Sequence, residues 1–249
     1  MKTAIIIGAT SGIGREVAIR LVKDGWKVGI TGRRTEALEA FRSQYGADKV
    51  FISTMDVTRD DSLLALDSLL EQTGAPDLFF CASGVGYQNR DLNLEKEIRT
   101  VRTNSEGMVR MVDHFIDYVR SHKTSYVQKA HIAVITSVAG VVALGTAPAY
   151  SATKRMQSTY LSALAQLSRM EDIPVRFTDI RPGFVATDIL NPDKHYPMLM
   201  SKGKATDHIM KALKRKRRVY TFDWRFRVAT FLCRLISRGI WERITWIKN

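Results

Sequence analysis

The chain has 249 residues, 45% apolar and 25% charged, the make-up of an ordinary globular protein of one domain. Its two cysteines, Cys81 and Cys233, exclude a disulfide framework and make a reducing, cytoplasmic compartment the expectation. The net charge of +13 is uneven: residues 1–201 hold 24 Lys/Arg against 22 Asp/Glu, and residues 202–249 hold 14 against 3, so an electrostatic partner would meet the tail.

The first seven residues, ending Ala4-Ile5-Ile6-Ile7, are too short for a signal sequence and read as a buried strand. No run approaches the ~20 apolar residues of a spanning helix. Further strands are expected at Lys27–Thr31, Val50–Met55, Asp77–Cys81, His131–Thr136, Val175–Ile180 and Arg218–Thr221. Most are continuously apolar and β-branched, as in a parallel sheet covered on both faces. Helices are expected between them at Gly14–Asp24, Arg34–Tyr45, Asp60–Gln72, Leu94–Arg120, Ala149–Met170 and about Lys204–Lys214. This alternation predicts a doubly wound, Rossmann-type α/β domain of about seven strands over residues 1–222, followed by a basic helical extension over 223–249.

Gly8-Ala9-Thr10-Ser11-Gly12-Ile13-Gly14 follows the first strand and opens the first helix. Glycines there permit a tight turn and close backbone approach to a pyrophosphate, which the helix N-terminus attracts. The second strand ends Thr31-Gly32-Arg33-Arg34, with no carboxylate to accept from the ribose 2′-OH of NAD. Arg33, with Arg34 and Arg15, could clamp a 2′-phosphate instead, which favours NADP(H).

Tyr150-Ser-Ala-Thr-Lys154 places a phenol and an ammonium on one helix face. Ketone reduction needs a proton for the developing alkoxide, and a nearby ammonium stabilises the phenolate that remains. Ser137 ends the fifth predicted strand, at the sheet edge where open α/β sheets bind ligands. Arg181-Pro182-Gly183-Phe184-Val185-Ala186-Thr187-Asp188 forms a turn at the same edge.

The Gly8–Gly14 loop, Asp56-Val57, Asn104-Ser-Glu-Gly107, Ser137, Tyr150 with Lys154, and Pro182-Gly183 with Thr187 together resemble the short-chain dehydrogenase/reductase family over residues 3–222. The resemblance implies that Asp56 and Val57 hold the adenine, and that Asn104 fixes a water linking Lys154 to solvent. It further implies that Lys154 grips the nicotinamide ribose, that Val185 and Thr187 orient the carboxamide, and that the protein is a dimer or tetramer. Two positions depart from the family pattern. Ile7 stands where a threonine is usual, and Cys81-Ala82-Ser83-Gly84 replaces Asn-Asn-Ala-Gly, whose asparagines support the sheet and the cofactor ribose. Cys81 itself reads as a small buried hydrophobe.

Residues 189–203 occupy the position of the family's variable substrate lid. Met198, Leu199 and Met200, with Gly86, Tyr87 and Leu144 as further wall, favour a hydrophobic substrate. His195 in this lid reads as a surface residue. From Trp224 to Trp246 the tail interleaves arginines with apolar residues; Arg227, Arg234 and Arg238 align on one helical face, and Gly239 is where it can divide. Two readings stay open for it: peripheral contact with the inner face of a membrane through residues 224–248, or packing over the substrate cleft or a partner subunit. No metal site and no nucleic-acid reader motif is found.

The expected activity is NADPH-dependent, reversible reduction of a ketone on a hydrophobic substrate, such as a 3-ketosphingoid base. Steroid, 3-ketoacyl and lipid-linked sugar ketones are the alternatives within the class. A nucleotide-sensing scaffold is the non-enzymatic alternative, supported only by the altered Cys81–Gly84 stretch.

Overall fold

Strand β1 (Thr3–Ile7) consists of five buried residues. In the computed structural model, which describes residues 1–190 and 195–245, successive side chains of β1 enter opposite layers. Ile5 and Ile7 join Phe79, Phe115 and Leu161 on one side, and Ala4 and Ile6 join Val17, Phe41 and Ile209 on the other. A strand wedged between two apolar layers has no use for a polar side chain, which is why its sequence does not alternate.

Six more strands flank it: β2 (Lys27–Gly32), β3 (Val50–Thr54), β4 (Leu78–Cys81), β5 (Ala130–Ile135), β6 (Val175–Arg181) and β7 (Val219–Thr221). All pairings are parallel, in the order β3-β2-β1-β4-β5-β6-β7. Helices α1 (Gly12–Lys23), α2 (Thr35–Tyr45) and α7 (Lys202–Arg215) cover one face; α3 (Ser62–Thr73), α5 (Gly107–Ser121) and α6 (Pro148–Met170) cover the other. The order reverses between β1 and β4, so the loops after these strands diverge and leave a crevice at their C-terminal ends.

The predicted strands match those observed to within about a residue at each end, and the doubly wound sheet is as expected. The expected helix Leu94–Arg120 is instead three pieces: α4 (Leu94–Val101), a π turn (Arg102–Glu106), and α5. In the turn, the Gly107 N–H reaches back five residues to the Arg102 carbonyl, one more than a regular helix allows. Gly107 also lies so close to Val57 that an added Cβ would stand 2.6 Å from its Cγ2.

After β7 the chain forms α8 (Trp224–Leu235) and the short α9 (Arg238–Trp241). The break falls at Ile236-Ser237 rather than at Gly239, which sits inside α9. Ser237 is extended at the α9 N-cap, so Arg238 no longer continues the α8 face of Arg227 and Arg234. Phe226 is the buried residue of α8; Trp224, Val228, Phe231, Leu232 and Leu235 are exposed. No helix among the described residues is long and apolar enough to cross a membrane. Of the lid, Asn191 to Lys194 lie outside the described residues, as does the tail from Trp246 onward.

Candidate active site

A cleft of about 560 Å³ opens at the crevice. Its walls bring together Gly8, Thr10, Ser11, Gly12, Ile13 and Gly14, Arg33, Asp56 and Val57, Ser137, Tyr150 and Lys154, and Pro182, Gly183, Val185 and Thr187. These residues span the chain from position 8 to 187, and the sheet edge gathers them in one place.

The loop after β1 is built to admit a bulky anion. Gly8 (φ +85°) and Gly12 (φ +58°) take left-handed backbone that side chains resist. A Cβ on Gly14 would stand 2.1 Å from the Gly8 carbonyl oxygen, and one on Gly8 2.8 Å from the Ser83 nitrogen. The loop therefore folds tightly on itself, with Gly12, Ile13 and Gly14 presenting the start of α1 to the cleft. Such a cradle at a helix N-terminus fits a dinucleotide pyrophosphate.

The arginines divide their work. Arg33 lines the cleft. Arg34 donates to the Thr10 carbonyl at 2.9 Å and braces the phosphate loop from outside. The Arg15 guanidinium lies over the Phe41 ring, 5.9 Å from its centroid, away from the cleft walls. Asp56 Oδ1 accepts from both the N–H and the hydroxyl of Thr58, which fixes the turn after β3.

Ser137 follows β5, and its Oγ accepts from the Ala139 N–H at 3.0 Å. The Val138 N–H donates to the Pro182 carbonyl, tying this turn to the one after β6. Gly140 lets α6 approach: a Cβ there would meet the Lys154 carbonyl carbon at 2.6 Å. That contact sets the distance between Ser137 and the helix carrying Tyr150 and Lys154. The N-terminus of α6 is held by Glu97, whose Oε2 accepts from the Ala149 N–H and whose Oε1 accepts from Asn89. Gly86 packs on the Tyr150 ring, where a Cβ would come within 2.9 Å.

Burial pushes the Tyr150 phenol above its ordinary value, opposed by its hydrogen bond with Ser137. Lys154, 4% exposed, donates from Nζ to the Ile135 carbonyl (2.9 Å) and to Gln157 Oε1 (3.1 Å), with Nζ 5.7 Å from the Tyr150 ring centroid. Burial lowers its pKa to about 8, while Cys81 and Asp179 pull the other way. Burial also raises the Cys81 thiol, in keeping with its place in the core. Asp179 is itself buried between Arg181, Nη2 at 2.6 Å, and the Thr136 hydroxyl.

Asn104 is fully buried and supports the cleft from behind. Its side chain accepts from the Val85 N–H and donates to the Val85 carbonyl, both at 2.8 Å, and donates to Thr153 Oγ1. It thus pins the stretch after Cys81-Ala82-Ser83-Gly84, where the usual asparagines are missing. Its main-chain carbonyl accepts from Gln157 Nε2 at 2.6 Å. The structure links Asn104 to Lys154 through that amide.

Gln157, Glu97 and Asp179 were not legible as site residues. Gln157 had one available signal, since positions 150, 154 and 157 repeat on one helical face. Among the substrate-side residues, Ile189 and Leu190 line the cleft. Met200 packs against the core and pairs with Val185, Tyr196 is buried against Phe184, and His195 is exposed.

The short chain dehydrogenase family model matches residues 2–196. An uncharacterized oxidoreductase of Myxococcus xanthus is 29% identical over 248 residues, 97% of this chain and 95% of the relative. A short-chain dehydrogenase from Sphingobium yanoikuyae in complex with NADPH superposes with a TM-score of 0.76 at 20% identity, covering 96% of this chain and 98% of that one. An alcohol dehydrogenase from Thermococcus sibiricus, complexed with 5-hydroxy-NADP, gives 0.73 at 24% identity, covering 89% and 95%. With the phosphate cradle, the Ser137–Tyr150–Lys154 cluster and the matched family model, the chain belongs to the short-chain dehydrogenases, oxidoreductases that bind a nicotinamide cofactor and act on alcohol or ketone groups.

Proposed function

We propose that the chain is an NADPH-dependent reductase of a ketone carried by a hydrophobic substrate, with a lipid ketone such as a 3-ketosphingoid base as the leading class. The carrying observation is that Tyr150, Lys154 and Ser137 line the same cleft as Arg33 and the Gly8–Gly14 loop. The Gly8–Gly14 loop would hold the pyrophosphate, Arg33 the 2′-phosphate, Asp56 and Val57 the adenine, and Val185 and Thr187 the carboxamide. When bound, the reduced nicotinamide supplies the hydride that a carbonyl carbon accepts. Tyr150 gives its phenolic proton to the carbonyl oxygen, which Ser137 Oγ holds in place. The Lys154 ammonium stabilises the phenolate left behind. The NADPH complex of the Sphingobium neighbour supports the same cofactor. The exposed Ile189, which lines the cleft with Leu190, supports an apolar substrate.

The test is NADPH consumption with a panel of long-chain ketones. Tyr150→Phe should lower kcat by about 10²–10⁴ while NADPH binding, read by its fluorescence, is retained. Reduction at the parental rate would remove Tyr150 as proton donor. Arg33→Asp should weaken NADPH binding about tenfold or more and leave NADH unaffected.

The tail supports a lipid-borne substrate. Alongside the exposed Val228, Phe231, Leu232 and Leu235 stand the exposed Arg225, Arg227 and Arg234. An apolar face edged with arginine and Trp224 suits the interface of an anionic bilayer, and two copies facing each other would bring like charges together. Full-length protein should pellet with vesicles containing anionic lipid and not with neutral ones. Phe231→Glu with Leu235→Glu should abolish pelleting; pelleting unchanged by that pair would remove the membrane role.

A further inference from the structure

Gln157 lies three residues after Lys154 and seven after Tyr150, so α6 carries all three on one side. It is fully buried and bonded at both ends. Nε2 donates to the Asn104 main-chain carbonyl at 2.6 Å, and Oε1 accepts from Lys154 Nζ at 3.1 Å. The second acceptor of Lys154, the Ile135 carbonyl, is likewise uncharged. The other titratable groups facing the ammonium are Tyr150 on α6, Cys81 at the end of β4, and Asp179 on β6, the last paired with Arg181.

We propose that Gln157 is a positioning residue of the proton-transfer centre, whose amide, anchored on the Asn104 carbonyl, holds the Lys154 ammonium toward Tyr150 and sustains its charge without cancelling it. The proposal rests on the role of Tyr150 as proton donor. A buried ammonium loses its proton unless its N–H groups find acceptors. An apolar side chain at 157 would withdraw one acceptor and favour neutral Lys154. A carboxylate would keep the proton but neutralise the field that Lys154 exerts on Tyr150. A neutral amide does neither, and its fixed orientation, acceptor toward Lys154 and donor toward Asn104, leaves one geometry for the pair. The amide orients without conducting, because neither end releases a proton.

The readout is the titration midpoint of Lys154 itself, near pH 8 in the parent, followed by NMR of the labelled lysine side chains of the full-length protein without added cofactor. Each titration is referenced to the same variant carrying Lys154→Met, which isolates Lys154 and needs no substrate. Gln157→Met should lower the midpoint by about one pH unit, because an acceptor is lost, and Gln157→Glu should raise it by about one, because a negative charge is added. Midpoints within ~0.2 unit of the parent, in variants with parental melting temperatures, overturn the proposal. Should Gln157→Met fail to fold, Gln157→Glu decides alone, since it preserves side-chain volume and the acceptor to Lys154. Reductase activity retained in Tyr150→Phe would count against the donor assignment, and the lysine titration reads the Gln157 linkage separately.

Discussion

The indole N–H of Trp241 donates at 2.8 Å to the main-chain carbonyl of Ala143, 98 residues earlier in the chain. Ala143 belongs to the loop that follows Ser137 and its short turn, so the last described helix is tied to the substrate side of the catalytic strand end. A neutral hydrogen bond is worth about 1 kcal/mol, or roughly fivefold in an equilibrium. Trp241→Phe should therefore raise KM for a hydrophobic ketone a few-fold and leave the NADPH dissociation constant unchanged. Steady-state kinetics beside a fluorescence titration checks both.

The tail has a second anchor at Gly183. An added Cβ there would stand 2.1 Å from Phe226 Cε2, and the Phe184 and Phe226 rings meet edge to face at 6.2 Å. Gly183→Ala should destabilise the protein by about 1–3 kcal/mol through overpacking. Combining it with Phe226→Ala should cost less than the two single changes added together, because the second substitution vacates the space the first requires. Urea denaturation of the four proteins measures the coupling; strict additivity would mean the two side chains do not compete for space.

His131 gives the fold an acid limit. It is buried on β5, bonded to Thr178 Oγ1 at 2.8 Å, and its pKa falls from 6.5 to about 4, chiefly through burial and also through Arg176 and Lys216. The folded pKa is below the unfolded one, so this stabilisation is complete above about pH 6.5 and is lost as pH falls toward 4. The gap corresponds to about 3 kcal/mol. Melting temperature should drop across that window in the parent and drop less in His131→Gln.

The raised Tyr150 phenol sets the direction that neutral pH favours. A group whose pKa is raised stays protonated to higher pH, so proton donation during reduction should be flat through neutrality. Oxidation of the alcohol needs the phenolate and should climb up to about tenfold per pH unit toward the Tyr150 midpoint. Lys154→Ala should slow oxidation most below about pH 8, where Lys154 still carries its charge, and leave the climb above that pH in place. Rate profiles in the two directions give the comparison.

The parts of the site that the sequence revealed are those written locally. The Gly8–Gly14 loop joins one strand to one helix, and Tyr150 with Lys154 is a single helical turn, so spacing alone carries their geometry. The central strands were legible because burial on both faces makes each an apolar run, as in β1, β4 and β5. Contacts between distant segments were not legible: Gln157 to the Asn104 carbonyl, Phe226 on Gly183, and Trp241 on Ala143 depend on how layers pack. The arginines show the same limit. Arg15, Arg33 and Arg34 look alike in sequence, yet Arg33 lines the cleft while Arg34 braces the loop and Arg15 covers a ring. The helix expected over Leu94–Arg120 hid its π turn, since one surplus residue leaves the apolar pattern on either side intact.

That surplus residue has a consequence for length as well as shape. In a regular helix one more position would turn everything after it by about 100°; here the π turn takes up that position in a wider coil, so α4 and α5 stay in phase and the displaced residues are those of the turn itself. Deleting a single residue within 102–106 would restore an ordinary helix and swing Asn104, with its grip on Val85 and Gln157, out of line with α6. The middle of a helix, usually the part of a chain most indifferent to what precedes it, is here a place where the catalytic wall keeps its phase by counting.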